Sequence, residues 1–332
     1  MPKPEVDVAR LNESVKEESI QIQAAVAEMK KVIVGQRHLV DRMMIALLCR
    51  GHLLVEGVPG LAKTLAVKTL GQVLELQFSR IQFTPDLLPA DLLGTLIFHQ
   101  KTGDFAVRKG PVFTNLLLAD EVNRAPAKVQ SALLEAMQER QVTIGDTSHP
   151  LPEPFLVFAT QNPIEQEGTY PLPEAQVDRF LLKARVEYPQ RTEERLILDR
   201  MITGETPPVA RVLKADVLAR LVGTVREVYL DDRIRDYIVT LVTATRDPKG
   251  AGMVDLQHLV AFGASPRATL AFSEASRAMA FLQGRGYVVP EDVKAIAADV
   301  LRHRILLTYE AEAENVTTDT VVERVLEHVE VP

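Results

Sequence analysis

The sequence predicts an α/β domain followed by an all-helical domain. Between residues 53 and 187, short apolar runs recur and are separated by stretches with helical periodicity. Strands that are almost continuously apolar and alternate with helices indicate a buried, mainly parallel sheet with helices on both faces. Beyond residue 189 the strand signals almost vanish while the helical periodicity continues. We therefore expect an N-terminal arm and α/β domain over residues 1–189 and a helical domain over residues 190–332.

The bulk composition agrees with this organisation. A chain of 332 residues is long enough for about two domains, each with its own core. Its net charge of -7, with no long basic run, argues against nucleic acid and anionic membranes as partners. A single cysteine excludes an intrachain disulfide and is typical of a reducing compartment. No apolar run approaches the ~20 residues that cross a bilayer, so we expect a cytoplasmic protein without membrane insertion.

The predicted elements follow in chain order. Residues 1–12 are polar and are expected to form a loose arm, and helices are expected at 13–31 and 37–50 with a break at 33–36. The strands predicted for the sheet are 53–56, 77–83, 115–120, 155–160 and 181–187. Alternating patterns around Gly-Asp turns, at 96–107 and 141–146, predict β-hairpins inserted into the α/β core. The helices predicted for the second domain are 192–200, 214–229, 232–246, 265–284 and 290–301.

The first predicted strand runs into a glycine-containing loop that ends in Lys63-Thr64 and opens a helix. Glycines let backbone N–H groups converge on phosphate oxygens, the helix N-terminus adds partial positive charge, and the lysine reaches the terminal phosphates. Ala62 stands where the common pattern has a second glycine, and an ordinary strand-to-helix turn is the alternative interpretation. The residues predicted to bind phosphate are Gly57, Val58, Pro59, Gly60, Leu61, Ala62, Lys63, Thr64 and Leu65.

A later apolar strand ends in two carboxylates, Asp120 and Glu121. This places them at the carboxyl edge of the predicted sheet, where α/β proteins bind ligands. Adjacent strand residues point in opposite directions, so the pair can divide two tasks. We expect Asp120 to hold Mg²⁺ together with the Thr64 hydroxyl, and Glu121 to polarise an attacking water. Taken alone, such a pair is equally compatible with a helix N-cap.

Two further residues are candidates for work on a phosphate. Asn162 follows a buried strand, where an uncharged amide can orient water against a γ-phosphate, although Asn162-Pro163 also fits an ordinary turn. Arg179 precedes an apolar strand, and on its own it is compatible with simple pairing to Asp178. The spacing alone leaves these alternatives open.

The order and spacing of these motifs resemble an AAA+ ATPase and, more narrowly, the MoxR family. The resemblance covers nearly the whole chain beyond the N-terminal arm, and an alanine before the loop lysine is usual in that family. The matching stretches are residues 33–36, 57–64, 80–89, 110–113, 120–126, 159–163, 172–180 and 265–267.

The resemblance implies a nucleotide site completed by a neighbouring subunit in a ring, commonly of six subunits, with ATP and Mg²⁺ as cofactors. Arg179 matches the arginine finger that reaches the nucleotide of the next subunit. Asn162 and Arg267 match the first and second sensors, the latter carried by the helical lid. Val34 and Gly35 match the segment against which adenine rests, and the two hairpins match insertions that tend to face the pore or the client.

The function implied by the resemblance is ATP hydrolysis coupled to remodelling or maturation of a partner protein, often one with a von Willebrand factor A domain. One alternative is the motor subunit of a metal chelatase. Another is a nucleotide-gated scaffold with little turnover, against which the intact set of Asp120, Glu121, Asn162 and Arg179 argues. The identity of the client is not encoded in these motifs.

Overall fold

The computed structural model describes residues 7–101, 103–163, 169–204 and 207–332, so residues 1–6 of the predicted arm lie outside it. The chain divides into two units. One unit takes in Ala24–Phe180 and Ala184–Ala215, and the other takes in Leu181–Lys183 and Asp216–Pro332 together with the N-terminal segment up to Gln23. The predicted domain boundary at residue 189 stays a prediction.

The strands of the described chain group into one larger sheet and short two-stranded pairs. They are β1 (Leu53–Glu56), β2 (Phe78–Gln82), β3 (Gly94–His99), β4 (Asp104–Lys109), β5 (Leu116–Asp120), β6 (Gln141–Ile144), β7 (Thr147–Pro150), β8 (Leu156–Gln161), β9 (Leu182–Arg185), β10 (Val260–Phe262) and β11 (Leu306–Leu307).

The predicted five-stranded sheet is confirmed, with the strand order β2-β5-β8-β1-β9. The pairings of β1 with β8, of β8 with β5 and of β5 with β2 are all parallel. Strands β5 and β8 are buried over nearly their whole length, which explains their almost continuous apolar sequences. Because parallel strands end at the same edge, the residues that follow β1, β5 and β8 come together there.

Both predicted hairpins are confirmed. Strand β3 pairs antiparallel with β4, and β6 pairs antiparallel with β7. Gly103 and Gly145 lie in the connecting turns with positive φ angles of 74° and 61°, a conformation that glycine adopts without steric cost. Phe98 and Phe105 face each other across the first hairpin with ring centroids 5.2 Å apart, and both side chains are exposed.

The described helices are mostly those that the periodicity predicts. They are α1 (Val8–Val32), α2 (Arg37–Leu48), α3 (Lys63–Val73), α4 (Pro89–Leu93), α5 (Ala127–Glu139), α6 (Glu174–Val177), α7 (Arg191–Thr203), α8 (Ala215–Glu227), α9 (Asp232–Arg246), α10 (Pro266–Leu282), α11 (Pro290–Leu301), α12 (Tyr309–Ala313) and α13 (Thr318–His328). Within the described ranges, none of them has the length and apolar character required to cross a membrane.

The prediction of a loose arm is wrong for residues 8–12, which belong to α1. Asp7 explains the early start of this helix, because its side chain accepts a hydrogen bond from the Arg10 N–H at 3.1 Å. Asn12 then accepts a hydrogen bond from the Gly286 N–H at 3.0 Å, within the same unit. A capping aspartate and this long-range contact therefore order a segment that the sequence pattern left without structure.

Helices α12 and α13 and the short pair β10-β11 were not predicted. The threonines before the two helices cap them: Thr308 accepts from the Ala311 N–H, and Thr317 accepts from the Thr320 N–H. Strands of three and two residues are too short to show an alternating pattern. Between Asp216 and Pro332, the elements are therefore helices apart from this one short β pair.

A buried histidine ties the entry of β1 to α5 and β8. The Nδ1 atom of His52 accepts a hydrogen bond from the Val157 N–H at 3.0 Å, and Nε2 lies 3.2 Å from the carbonyl oxygen of Met137. Because Nδ1 accepts, the proton of the neutral ring is on Nε2. The pKa of His52 is lowered to about 4. Burial is the largest cause, the hydrogen bond to Met137 opposes it, and the charge of Arg140 acts in the same direction as burial.

Acidification is expected to destabilise the protein through His52. Between the ordinary pKa of 6.5 and the folded-state pKa of about 4, the unfolded chain binds a proton that the folded chain does not. Stability is therefore fully present above this window and falls as the pH drops through it, by about 3 kcal/mol in all. Urea unfolding at a series of pH values measures this loss.

The His52→Gln variant is the comparison protein, because glutamine offers a donor and an acceptor but no ring to titrate. We expect it to be about 1–3 kcal/mol less stable than wild type at neutral pH. The difference between the two proteins should shrink as the pH falls toward 4. Profiles that run parallel across this range would contradict the assignment.

Candidate functional site

The loop between β1 and α3 has the backbone geometry of an anion cradle. Gly57 N–H donates to the carbonyl of Gln161 at 3.2 Å, which fixes the start of the loop against β8. Gly60 has φ +86°, and no atom lies within 4 Å of the position that a Cβ would take. Ala62 has φ 56° and immediately precedes α3. This left-handed conformation costs an alanine roughly 1–2 kcal/mol, which gives the physical reason why glycine is common at the position.

Lys63 is the first residue of α3 and folds back over the loop. Its Nζ donates to the carbonyl oxygen of Gly57. Burial lowers the pKa of Lys63, while the negative charges of Asp120 and Glu121 act in the opposite direction. The ammonium group is therefore partly buried beside the loop, with the negative charges of both acids acting on it.

A cavity of about 410 Å³ opens between this loop and the ends of β2, β5 and β8. It brings together most of the residues predicted from sequence, including Lys63, Thr64, Asp120, Glu121 and Asn162. Of the predicted loop residues, 59–65 line it, and Gly57 and Val58 precede them. The complete lining is Pro59, Gly60, Leu61, Ala62, Lys63, Thr64, Leu65, Arg80, Gln82, Asp120, Glu121 and Asn162.

Thr160 connects the two carboxylate residues. Its hydroxyl donates to Oδ1 of Asp120 at 2.6 Å and accepts a hydrogen bond from the backbone N–H of Glu121 at 2.8 Å. Glu121 has φ 57° and ψ 52°, so the chain leaves the strand direction immediately after Asp120. The single buried hydroxyl of Thr160 therefore sets both the rotamer of one acid and the strained backbone of the other.

Side chains from the neighbouring strand β2 donate hydrogen bonds to the carboxylate oxygens of these acids. Arg80 donates to Oδ2 of Asp120 from Nη2 at 2.7 Å and from Nε at 3.1 Å. Gln82 donates from Nε2 to Oε2 of Glu121 at 2.8 Å. Arg124, one turn beyond Glu121, donates to the same Oε2 at 3.1 Å. Both acids are thus bound by hydrogen bonds from basic or amide groups.

A second cavity, of about 360 Å³, shares loop residues with the first and is walled mainly by apolar side chains. Val34 lines this cavity. Gly35 follows Val34 in the chain and has a φ of +75°. This positive φ favours glycine, and a Cβ here would also lie 2.7 Å from Oε2 of Glu193 on α7. Arg200 of α7 also lines the cavity and donates to the carbonyls of Lys31 and Val32, at 2.8 and 3.3 Å.

Neither Arg179 nor Arg267 is among the residues that line the first cavity. Arg179 follows α6, its Nη1 donates to the Leu134 carbonyl at 3.3 Å, and its Nε is buried with no hydrogen-bond partner in the described chain. Arg267 is exposed and belongs to the helical unit. It lies in the first turn of α10, where its N–H donates to the capping Ser265 at 3.1 Å.

Three residues of the site were not identified from the sequence: Arg80 and Gln82, which line the first cavity, and Thr160, which contacts both acids. Arg80 and Gln82 alternate along β2 and so share a face of the sheet. Polar side chains at alternate positions of a predicted strand were the available signal. It identifies a site only once β2 is known to lie beside β5, with Gln82 in register with Asp120.

Gln130 was also not identified from the sequence, although it stabilises the loop after Glu121. It lies on α5, is almost fully buried, and its Nε2 donates to the carbonyls of Val122, Ala125 and Tyr170 at 2.9–3.1 Å. The Tyr170 N–H in turn donates to the Asn123 carbonyl. Gln130 therefore joins the segment after Glu121 to Tyr170.

The donor set of the first cavity fits a small divalent cation. The Thr64 hydroxyl and the Asp120 carboxylate are hard oxygen donors, and both line the cavity beside the phosphate loop. Mg²⁺ prefers such oxygens and keeps several waters, so one or two protein ligands beside a phosphate are sufficient. The residues present are therefore compatible with Mg²⁺ and a nucleotide.

Comparison with protein families gives the same interpretation of the two parts of the chain. Residues 52–182 match a family model described as the ATPase family associated with various cellular activities (AAA). Residues 256–325 match a model described as an AAA lid domain. The first match contains the phosphate loop, both acids and Asn162, and the second lies within the helical unit.

Individual relatives cover almost the entire chain. Chaperone MoxR1 of Mycobacterium tuberculosis is 54% identical over 312 residues, which is 94% of this chain and 82% of that protein. Protein MoxR of Paracoccus denitrificans is 32% identical over 308 residues, which is 87% of this chain and 90% of that protein.

A solved structure from Cytophaga hutchinsonii, of a protein provisionally designated an ATPase, has the same fold with a TM-score of 0.90. The two proteins are 48% identical, and the match covers 96% of this chain and 98% of the other. In this chain the AAA match covers the parallel sheet with its inserted hairpins, and the AAA lid match falls within the helical unit. The chain belongs to the MoxR family of AAA+ ATPases.

Proposed function

We propose that the protein hydrolyses ATP in a Mg²⁺-dependent reaction within an oligomeric ring, and that hydrolysis drives chaperone-like remodelling of a partner protein. One observation carries the proposal. Lys63, Thr64, Asp120, Glu121 and Asn162, which are distant in sequence, line a single cavity at the carboxyl edge of the sheet. A phosphate loop and two carboxylates at one edge match the requirements of phosphoryl transfer to water.

In this proposal the loop residues 57–65 bind the phosphates through backbone N–H groups and the α3 N-terminus, and Lys63 contacts the terminal phosphates. Thr64 and Asp120 hold Mg²⁺, which when bound neutralises charge on the phosphate oxygens. Glu121 accepts a proton from the attacking water, and the Asn162 amide orients that water. Val34 and Gly35 adjoin the base, whose size suits the second cavity of about 360 Å³.

Two arginines outside the cavity lining are proposed to complete the site. Arg179 reaches the γ-phosphate held by a neighbouring subunit, which is consistent with its lying outside the cavity of its own chain. A guanidinium is planar, always charged and able to fork onto two oxygens, and it stabilises the charge of the transition state. Arg267 is proposed to act on the nucleotide from the lid.

The proposed partner of the ring is a client protein, and the inserted hairpins, of which β3-β4 is the more exposed, are its proposed contact surface. The resemblance to MoxR proteins favours an adaptor or client with a von Willebrand factor A domain and a ring of six subunits. The Mycobacterium tuberculosis relative is named a chaperone, which supports the proposal that the client is a protein. A cytoplasmic location is proposed on the composition of the chain and its single cysteine.

Glu121→Gln is expected to bind ATP but to lose turnover by roughly 10²–10⁴-fold, because the amide cannot accept the proton of the attacking water. Steady-state phosphate release and nucleotide affinity measure the two effects separately. The exposed Glu139→Gln on α5 is the matched control and should retain wild-type turnover. Normal turnover in Glu121→Gln would mean that the base lies elsewhere.

Arg179→Ala is expected to keep nucleotide affinity and to lose roughly 10³–10⁵-fold in turnover. Wild-type specific activity should rise with protein concentration as rings assemble, whereas a nucleotide-gated scaffold would stay near zero throughout. Mixing Arg179→Ala with Glu121→Gln should restore part of the activity, because some interfaces then combine an intact Glu121 with an intact Arg179 from the neighbour. Mixtures that stay inactive, although both variants assemble, would contradict action between subunits.

Thr160→Val removes the hydroxyl that orients both acids and preserves the shape of the side chain. The loss of two hydrogen bonds, one to a carboxylate, is expected to lower turnover by roughly 10- to 100-fold. Thr160→Ser keeps the hydroxyl and is the matched control. Equal turnover of the Val and Ser variants, in proteins with equal thermal stability, would remove the positioning role of Thr160.

A further inference from the structure

We propose that Gln130 is a positioning residue for Arg179, and that it places this arginine for action on the nucleotide of the neighbouring subunit. Gln130 lies on α5 and is not among the residues that line the first cavity. It acts through residues 169–180, which carry α6 and Arg179 and which we call the α6 segment. The inference rests on the proposed function, because it presupposes that Arg179 acts between subunits.

The buried amide of Gln130 lies where the α6 segment meets the loop after Glu121. Its Nε2 donates to the carbonyl oxygens of Val122 and Ala125, at 3.1 Å each, and to that of Tyr170 at 2.9 Å. Three carbonyl acceptors require the NH₂ end of the amide here, because an oxygen in its place would repel all three. Oε1 is buried and has no hydrogen-bond partner among the described residues, so the donor end alone fixes the amide.

Apolar contacts hold the α6 segment against the core without setting its register. Leu172 and Val177 pack against the core cluster to which α5 contributes, and Phe180 belongs to that cluster. Burial of apolar surface is non-directional, whereas a hydrogen bond fixes both distance and angle. The polar contacts between α5 and the α6 segment therefore determine where the segment lies along the helix.

The contact made by Gln130 is the shortest of three such hydrogen bonds. Gln176 donates to the Ser131 hydroxyl at 3.4 Å, and Arg179 donates to a backbone carbonyl of α5 at 3.3 Å, compared with 2.9 Å between Gln130 and Tyr170. The Nε atom of Arg179 is buried and has no hydrogen-bond partner in the described part of the chain. The position of the guanidinium therefore follows that of the α6 segment.

The acid of the same chain depends less on Gln130. The Glu121 N–H donates to the Thr160 hydroxyl at 2.8 Å, and the Glu121 carboxylate accepts hydrogen bonds from Gln82 and Arg124. These contacts remain when the amide of Gln130 is removed. We therefore expect the loss of this amide to displace the α6 segment and to leave the acid in place.

The test exchanges Gln130 for methionine, which has a similar length and no hydrogen-bond donor. Because a displaced arginine keeps its charge, we expect Gln130→Met to lose roughly 10- to 100-fold in turnover, less than Arg179→Ala. The affinity for a non-hydrolysable ATP analogue should stay unchanged. Gln138→Met, at an exposed position of α5, is the matched control and should keep wild-type turnover. Wild-type turnover in Gln130→Met would overturn the inference.

Equimolar mixtures of variants show which group Gln130 supports. With Glu121→Gln, Gln130→Met should regain activity, because some interfaces then combine an intact Glu121 with a correctly placed Arg179. With Arg179→Ala it should gain none, because no interface then receives a correctly placed arginine. The opposite pattern would mean that Gln130 supports the acid of its own chain, and failure of both mixtures would mean general damage to α5. Either result would overturn the inference.

Gln130→Asn keeps the amide on a side chain that is one methylene shorter, and it replaces Gln130→Met if that protein does not assemble. It should lose less turnover and show the same pattern in the two mixtures; equal behaviour in both would contradict the inference. The mixture of Glu121→Gln with Arg179→Ala tests the proposed function separately. If it stays inactive although rings form, action between subunits fails, and this inference with it. If it is active but Glu121→Gln does not rescue the Gln130 variants, the inference alone fails.

Discussion

The repulsion between two adjacent carboxylates is the constraint on which the site depends. Asp120 and Glu121 are consecutive residues at the end of a buried strand, so their charges must be compensated locally. The compensation comes from both neighbouring strands: Arg80 reaches Asp120 from β2, and Thr160 reaches it from β8. The position of β5 between those two strands is therefore an electrostatic requirement of the site as well as a consequence of packing.

Most of the fold could be predicted because burial on both faces leaves a strong sequence signal. Strand β1 and helix α9 have the predicted bounds, and the strand ending in Asp120 was identified by its apolar run alone. Both hairpins follow from alternation around a Gly-Asp turn. In these elements local pattern and tertiary environment agree, so the local pattern was sufficient.

The parts that escaped prediction depend on neighbours that are remote in sequence. Nothing local distinguishes Arg80 from an exposed strand arginine, because its partner, Asp120, lies on a strand 40 residues away. Thr160 looks like an ordinary buried strand residue until β8 is placed beside β5. The start of α1 was missed for a different reason, since a single capping side chain, Asp7, decides where that helix begins. Hydrophobic periodicity therefore does not predict the order of the strands or the caps of the helices.

The different roles proposed for the two acids follow from the strained backbone of Glu121 and not from the alternation of side chains along a strand. Strand β5 ends at Asp120, and Glu121 already has a left-handed φ of 57°, so the simple alternation expected of adjacent strand residues does not apply. Such a conformation costs a residue with a Cβ roughly 1–2 kcal/mol, and the Thr160 hydroxyl supports it by accepting the Glu121 N–H. Ala62 has nearly the same φ, 56°, in the loop that lines the same cavity. Two strained residues therefore adjoin the space assigned to the phosphates, and the buried parallel sheet supplies the rigidity that keeps both in place.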